Sequence, residues 1–157
     1  MQTWSRFIPM GALAVLAALP VLGADKLTPE IKQEQERLLA QATQDLNESC
    51  ETKITVAIDW KTLEGVDLSD HSPSGFCAEP IKTLASICEN SEAKKARVKE
   101  KVKAVTCIYA GKASESEQVK EKEIKEITGR NGTLVWRFSW NATNVTDYMI
   151  EFFKSFL

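Results

Sequence analysis

The sequence has a single histidine, His71, and lacks both a Cys-x-x-Cys pair and a Gly-x-Ser-x-Gly motif. Zinc sites usually contain closely spaced ligand pairs, and many hydrolases hold their serine in a Gly-x-Ser-x-Gly turn. We therefore expect no metal, no cofactor and no catalytic residues. Asp70, His71 and Ser72 are too close in sequence to form a catalytic triad, and we interpret them as a surface turn.

The sequence also lacks an excess of positive charge. It has 20 Lys and Arg against 22 Asp and Glu, a net charge of −2, and this balance does not predict a nucleic-acid partner. Its 43% hydrophobic and 27% charged residues are typical of a globular protein. After the N-terminal segment there is no second long apolar run, so we expect no membrane span in the mature chain.

The N-terminal segment has the layout of a secretory signal peptide. Arg6 is its only positive charge, residues 8–22 are mostly apolar, and the small residues Gly23 and Ala24 follow. We predict cleavage of residues 1–24 and a single exported domain over residues 25–157. The compartment is then the periplasm or the extracellular space.

Four Asn-x-Ser/Thr sequons are consistent with a secreted glycoprotein. Local structure explains them equally well, because Asn131 suits a hairpin turn and Asn144 suits a helix cap. The other two sequons begin at Asn47 and Asn141. The sequence leaves both localisations open.

In an exported chain the four cysteines are expected to form two disulfides. If residues 78–88 are helical, Cys77 and Cys88 lie about 16 Å apart, too far for a disulfide. A hairpin of helices 78–88 and 92–103 would return the chain from Cys77 to Cys107. We therefore favour Cys77–Cys107 with Cys50–Cys88, and keep Cys50–Cys77 with Cys88–Cys107 as the alternative.

The hydrophobic patterns predict an α+β fold. Helical spacing indicates helices over residues 28–47, 78–88, 92–103 and 145–156, and alternation indicates strands over 54–60, 104–110 and 133–140. A charged run at 119–128, followed by Gly129 and Gly132, suggests an edge strand in a hairpin. We expect a small antiparallel sheet of three to four strands, with helices packed mainly on one face and two disulfides.

Two features could form an interaction surface. The third helix carries Lys94, Lys95, Arg97 and Lys99 on an acidic protein, which suits an acidic partner. A polar loop over residues 61–75 is long for a compact domain, and such loops are often functional. The simpler interpretation of the basic helix is a solvated face.

A row of aromatic residues could contact an apolar ligand. Trp136 and Trp140 fall on one face of strand 133–140, and Trp60 could join them. Core packing against the C-terminal helix is the simpler interpretation, because alternating apolar strands usually have one buried face.

Three functions follow from these features. The leading hypothesis is an exported, non-enzymatic binding domain for an unknown protein or envelope component. The first alternative is a carrier of a small apolar ligand held between strand residues 134–140 and the C-terminal helix. A small secreted hydrolase with paired carboxylates is the weakest alternative, since no nucleophile motif is present.

Overall fold

A computed structural model describes residues 26–111, 127–140 and 145–157. The predicted signal peptide and residues 119–126 of the predicted edge strand lie outside the described residues. The described part contains four α-helices and four strands. The helices are α1 (Pro29–Cys50), α2 (Pro73–Asn90), α3 (Glu92–Lys101) and α4 (Val145–Phe156). The strands are β1 (Thr55–Ile58), β2 (Ala104–Tyr109), β3 (Ile127–Arg130) and β4 (Thr133–Phe138).

Local chemistry explains the starts of the first three helices. Thr28 caps α1 by accepting a hydrogen bond from the Ile31 amide, and Pro29 occupies the first turn. Ser72 caps α2 in the same way. A single residue, Ser91, ends α2 and caps α3, so the two helices are joined without a loop. The loop predicted over residues 61–75 is shorter in the structure than in the prediction, because a 3₁₀ turn occupies Trp60–Leu63.

The four strands form one mixed sheet in the order β1-β2-β4-β3. β1 pairs in parallel with β2, and β2 pairs in parallel with β4, in the register Cys107 to Trp136. Only β3 and β4 are antiparallel, joined by a tight turn at Asn131 and Gly132, both of which have positive φ. This order leaves β1 at one edge of the sheet.

The α+β class is confirmed, whereas the expected antiparallel sheet is wrong for all but one strand pair. The physical reason is the connection between β1 and β2. It contains α2 and α3, and a helical crossover returns the chain to the end of the sheet from which it started. The Gly-containing turn predicts the one antiparallel pair, β3 with β4, and contains no information on the direction of the other strands.

One face of the sheet packs against the helices and forms the core. Alternate residues of β2 and β4 are buried, with Trp136 and Phe138 fully enclosed, and Ile58 of β1 lies on the same face. Met149 and Phe153 of α4 are also fully buried. The opposite face of β1 carries the exposed residues Thr55 and Ala57.

Two disulfides tie the helices to this core, in the pairing that the assumed helix hairpin predicted. Cys50–Cys88 joins the end of α1 to α2, and Cys77–Cys107 joins α2 to β2. All four cysteines are fully buried. Two disulfides are typical of an oxidising compartment. None of the helices in the described part of the chain is long and apolar enough to cross a membrane.

Candidate functional site

A depression lies between α1 and β1 on the described residues, and we call it the α1–β1 groove. Its volume is about 790 Å³. The α1 wall presents residues of four successive turns, and the other wall is the edge strand with the residues that flank it. The lining residues of α1 are Glu36, Leu39, Ala40, Thr43, Gln44, Asn47 and Glu48. Those of the other wall are Thr52, Ile54, Thr55, Val56, Ala57, Ile58 and Trp60.

Successive residues of β1 point their backbone N–H and C=O groups to opposite edges of the strand. The amide of Thr55 donates to Lys103 O, and that of Asp59 donates to Cys107 O, so the odd-numbered residues face β2. In a strand, the N–H and C=O of the intervening residues point to the other edge. Val56 and Ile58 therefore direct their backbone donors and acceptors into the α1–β1 groove, where no hydrogen-bonding partner is found among the described residues.

One end of the groove is closed by the side chain of Asn47. Its Oδ1 accepts from Ile54 N at 2.7 Å, and its Nδ2 donates to Ile54 O at 3.0 Å. Thr52 Oγ1 holds the amide in place by donating to Asn47 Oδ1 at 2.9 Å. The Asn47 amide thus makes with Ile54 the two hydrogen bonds that a neighbouring strand would make.

The other end of the groove is closed by a hydrogen bond from Trp60 Nε1 to Glu36 Oε1, 2.9 Å long. Lys32 Nζ lies 5.8 Å from the centre of the Trp60 ring and 3.8 Å from Glu36 Oε1. Between the two closures, the open edge consists of Val56 and Ile58. The groove therefore offers four backbone groups, over a short stretch of strand, that no described residue pairs with.

The charged side chains that line the groove are both acidic, Glu36 and Glu48. Lys32 partly neutralises Glu36, whereas Glu48 is exposed and its carboxylate accepts, from the described residues, only the neutral hydrogen bond of Gln44 Nε2 at 2.8 Å. Negative charge is consequently most available at the Glu48 end, beside Asn47.

The three tryptophans of the predicted apolar-ligand contact do not share one cavity. Trp60 lies at the end of the groove. Trp136 is fully buried, and its Nε1 donates to Phe76 O at 3.2 Å, so it is a core residue. Trp140 is 9% exposed. Its ring stacks on those of His71 and Tyr109, and the centre of each of these two rings lies 4.6 Å from the centre of the Trp140 ring.

This aromatic cluster lies where β2 and β4 end, the usual ligand position in parallel sheets. Its polar atoms are few. Ser139 Oγ and Trp140 Nε1 are buried and have no hydrogen-bonding partner among the described residues. Burial raises the pKa of the Tyr109 phenol above its ordinary value. His71 lies against Trp140, and no hydroxyl among the described residues is hydrogen-bonded to its ring.

The carrier hypothesis places a ligand between strand residues 134–140 and α4, and it stays a prediction. Leu134, Met149 and Phe153 are fully buried there. Elsewhere in the described ranges, no three Asp, Glu, His or Cys side chains are grouped closely enough to hold a metal ion.

The predicted basic surface is partly neutralised by ion pairs. Lys95 pairs with Glu92 at 3.0 Å and with Glu51 at 3.5 Å, and Lys99 pairs with Glu51 at 2.6 Å. Hydrogen bonding from Lys99, and the charges of both lysines, lower the pKa of Glu51. Lys94 and Arg97 are left without an ion pair to any described residue. This surface remains a prediction.

The groove was not anticipated from the sequence. Alternation identified residues 54–60 as a strand, but only the strand order shows that β1 is at an edge. Two of the four sequon asparagines lie in the described residues. The side chain of Asn47 is hydrogen-bonded to the backbone of Ile54, and Asn131 is exposed in the β3–β4 turn. Asn141 and Asn144 lie outside the described residues.

Comparisons with protein-family models, with curated proteins and with solved structures found no match to this chain.

Proposed function

We propose that this protein is an exported, non-enzymatic binding domain that captures an extended peptide segment of another protein at the β1 edge. The segment pairs with Val56 and Ile58 and so extends the sheet by one strand. Strand addition of this kind gains affinity from main-chain hydrogen bonds and specificity from side-chain pockets. The observation that carries the proposal is the open backbone edge facing a groove of about 790 Å³.

The walls of the groove support an extended occupant. Ile58 is buried and Val56 half-buried on the α1 side, whereas Ala57 is exposed on the opposite face. Residues that pair directly across a sheet project on the same face. Side chains of the added strand opposite Val56 and Ile58 therefore enter the space beside Ala40 and Thr43, and the residue between them faces solvent.

The test is selection of binders from a random peptide library displayed on phage, with the protein purified with both disulfides formed. The key variant is Val56→Pro, which removes an N–H that points into the groove and leaves the bonds to β2 intact. Its matched control is Val56→Thr, which keeps the N–H and β-branching. We expect the selected peptides to bind the wild type and Val56→Thr alike, and Val56→Pro at least tenfold more weakly.

A second variant tests the opposite wall. Ala40 is exposed on α1, and Ala40→Trp fills the groove without disturbing the core. It should weaken the same peptides by a similar factor. The proposal is wrong if no peptide is enriched, or if the enriched peptides bind both obstructed variants as well as the wild type. A dimer that dissociates on Val56→Pro in sedimentation experiments would also overturn it, because a second copy would then occupy the edge.

A further inference from the structure

We infer that the α1–β1 groove selects a cationic strand, with two apolar side chains at alternate positions and a Lys or Arg beside Glu48. This inference rests on the proposed function and adds the class of peptide. It follows from three properties of the groove: the length of its open edge, the size of the α1 wall and the distribution of charge.

The open edge sets the length of the segment. Asn47 occupies the hydrogen-bonding position at Ile54, and the Trp60–Glu36 bond closes the other end. Two residues of β1 remain, and a partner strand bonds to both through alternate residues. The paired segment is therefore about three residues long, with one flanking residue on each side.

The α1 wall sets the size of the inward side chains. Opposite β1 it presents Ala40 and Thr43, both small, above the buried side chain of Leu39. This space suits medium-sized apolar side chains such as Val or Ile, which also have high strand propensity. The residue between them shares the exposed face with Ala57, and a polar side chain suits that position.

The charge distribution sets the flanking residue. Both charged lining residues are acidic, and Lys32 partly neutralises only Glu36. A Lys or Arg of the segment lying near the Asn47 end would meet Glu48, whose carboxylate is exposed and has no cationic partner in the described part of the chain. Such an exposed pair contributes modestly and is screened by salt.

The experiment compares three capped peptides: Lys-Val-Thr-Val-Lys, Glu-Val-Thr-Val-Glu and Lys-Thr-Val-Thr-Lys. Binding is measured from the NMR shifts of the Val56 and Ile58 amides. At low salt we expect the first peptide to bind about tenfold more tightly than the second, with the difference falling to about twofold in 0.5 M salt. The third, which has the opposite alternation, should bind more weakly than the first.

Two variants test whether Glu48 causes the preference for the lysine peptide over the glutamate peptide. Glu48→Gln should remove most of the preference for lysine. The control Glu64→Gln, which removes one charge from an exposed residue outside the groove, should leave the preference unchanged. Equal binding of the lysine and glutamate peptides, with Val56→Pro still blocking both, would overturn this selectivity and leave strand addition standing. Peptide-induced shifts of the Ile58 amide that are the same in Val56→Pro as in the wild type would overturn both.

Discussion

Asn47 and Ile54 are joined by two hydrogen bonds, Ile54 N to Asn47 Oδ1 and Asn47 Nδ2 to Ile54 O. A helix side chain thereby completes the hydrogen bonding of an edge strand at the point where that strand begins. Unpaired strand edges invite association with other chains, and proteins commonly protect them. Here the protection ends after one residue, and the groove opens where it ends. Asn47 therefore defines how much of the β1 edge a partner can use.

The first prediction concerns the stability that these bonds provide. Asn47→Ala removes both, and the half-buried backbone groups of Ile54 lose their partners, which should lower the free energy of unfolding by about 2 kcal/mol. Urea unfolding measures the change. Gln44→Ala, one turn earlier on the exposed side of α1, is the control and should change stability by less than about 0.5 kcal/mol. An equal effect of the two substitutions would show that the Asn47–Ile54 bonds contribute little.

The second prediction concerns the disulfides. Cys50–Cys88 and Cys77–Cys107 span 38 and 30 residues. In the chain-entropy model, closing a loop of either length lowers the entropy of the unfolded chain and so stabilises the folded state by about 4 kcal/mol. Replacing either pair with alanine should therefore reduce the free energy of unfolding by a similar amount, measured with guanidinium chloride. A loss below about 1 kcal/mol for both pairs would contradict the entropic account.

The third prediction concerns the contact between β3 and α4. A Cβ at Gly129 would overlap the ring of Phe156, at atoms Cε2 and Cζ. Gly129→Ala should cost about 1–3 kcal/mol of stability, because the ring must move from its packed position. Gly75→Ala, where the nearest atoms are 3.4 Å away, is the control and should be neutral or slightly stabilising.

The double variant Gly129→Ala/Phe156→Ala tests the mechanism. With the ring removed, the added methyl group should cost much less than it does in the wild type, and a double-mutant cycle measures the difference. Additive effects would show that the cost at Gly129 comes from its backbone and not from Phe156.

Local features of this fold were predictable because short-range chemistry determines them. The helix at Val145–Phe156 matches its predicted range, and strands β2 and β4 begin at the predicted residues. The disulfide pairing was predicted in two steps: the length of a helix between Cys77 and Cys88 excludes that pair, and an assumed hairpin of two helices favours Cys77–Cys107. α2 begins five residues before its predicted start, because Ser72 and Pro73 suit a helix N-terminus as well as a turn and the polar stretch around them does not distinguish the two.

Strand order and direction were not predictable from these patterns. Alternation indicates which face of a strand is buried, but it does not identify the neighbours of that strand. The α1–β1 groove exists because β1 is at an edge and α1 lies beside it. The key contact, Asn47 to Ile54, joins two polar groups seven residues apart across the end of a helix, and no periodic pattern marks it.

The last prediction concerns the dependence of stability on pH at the end of α1. Hydrogen bonding from Lys99 lowers the pKa of Glu51 below its ordinary value of 4.5, with the charges of Lys99 and Lys95 acting in the same direction. A carboxylate whose pKa is lower in the folded state stabilises the fold above the unfolded pKa. That contribution is lost as the pH falls through the folded pKa. Glu51→Gln should therefore melt at a lower temperature than the wild type at pH 7, and the two melting temperatures should converge below pH 4.5.

Thermal melts at low ionic strength measure this difference, and added salt should reduce it because the ion pairs are exposed. The control is Glu64→Gln, since no ion pair to Glu64 is found among the described residues, and it should show no such convergence. A gap between wild type and Glu51→Gln that persists unchanged at pH 3 would mean that Glu51 acts through the left-handed backbone conformation at the end of α1, where its φ is 50°, and not through its charge.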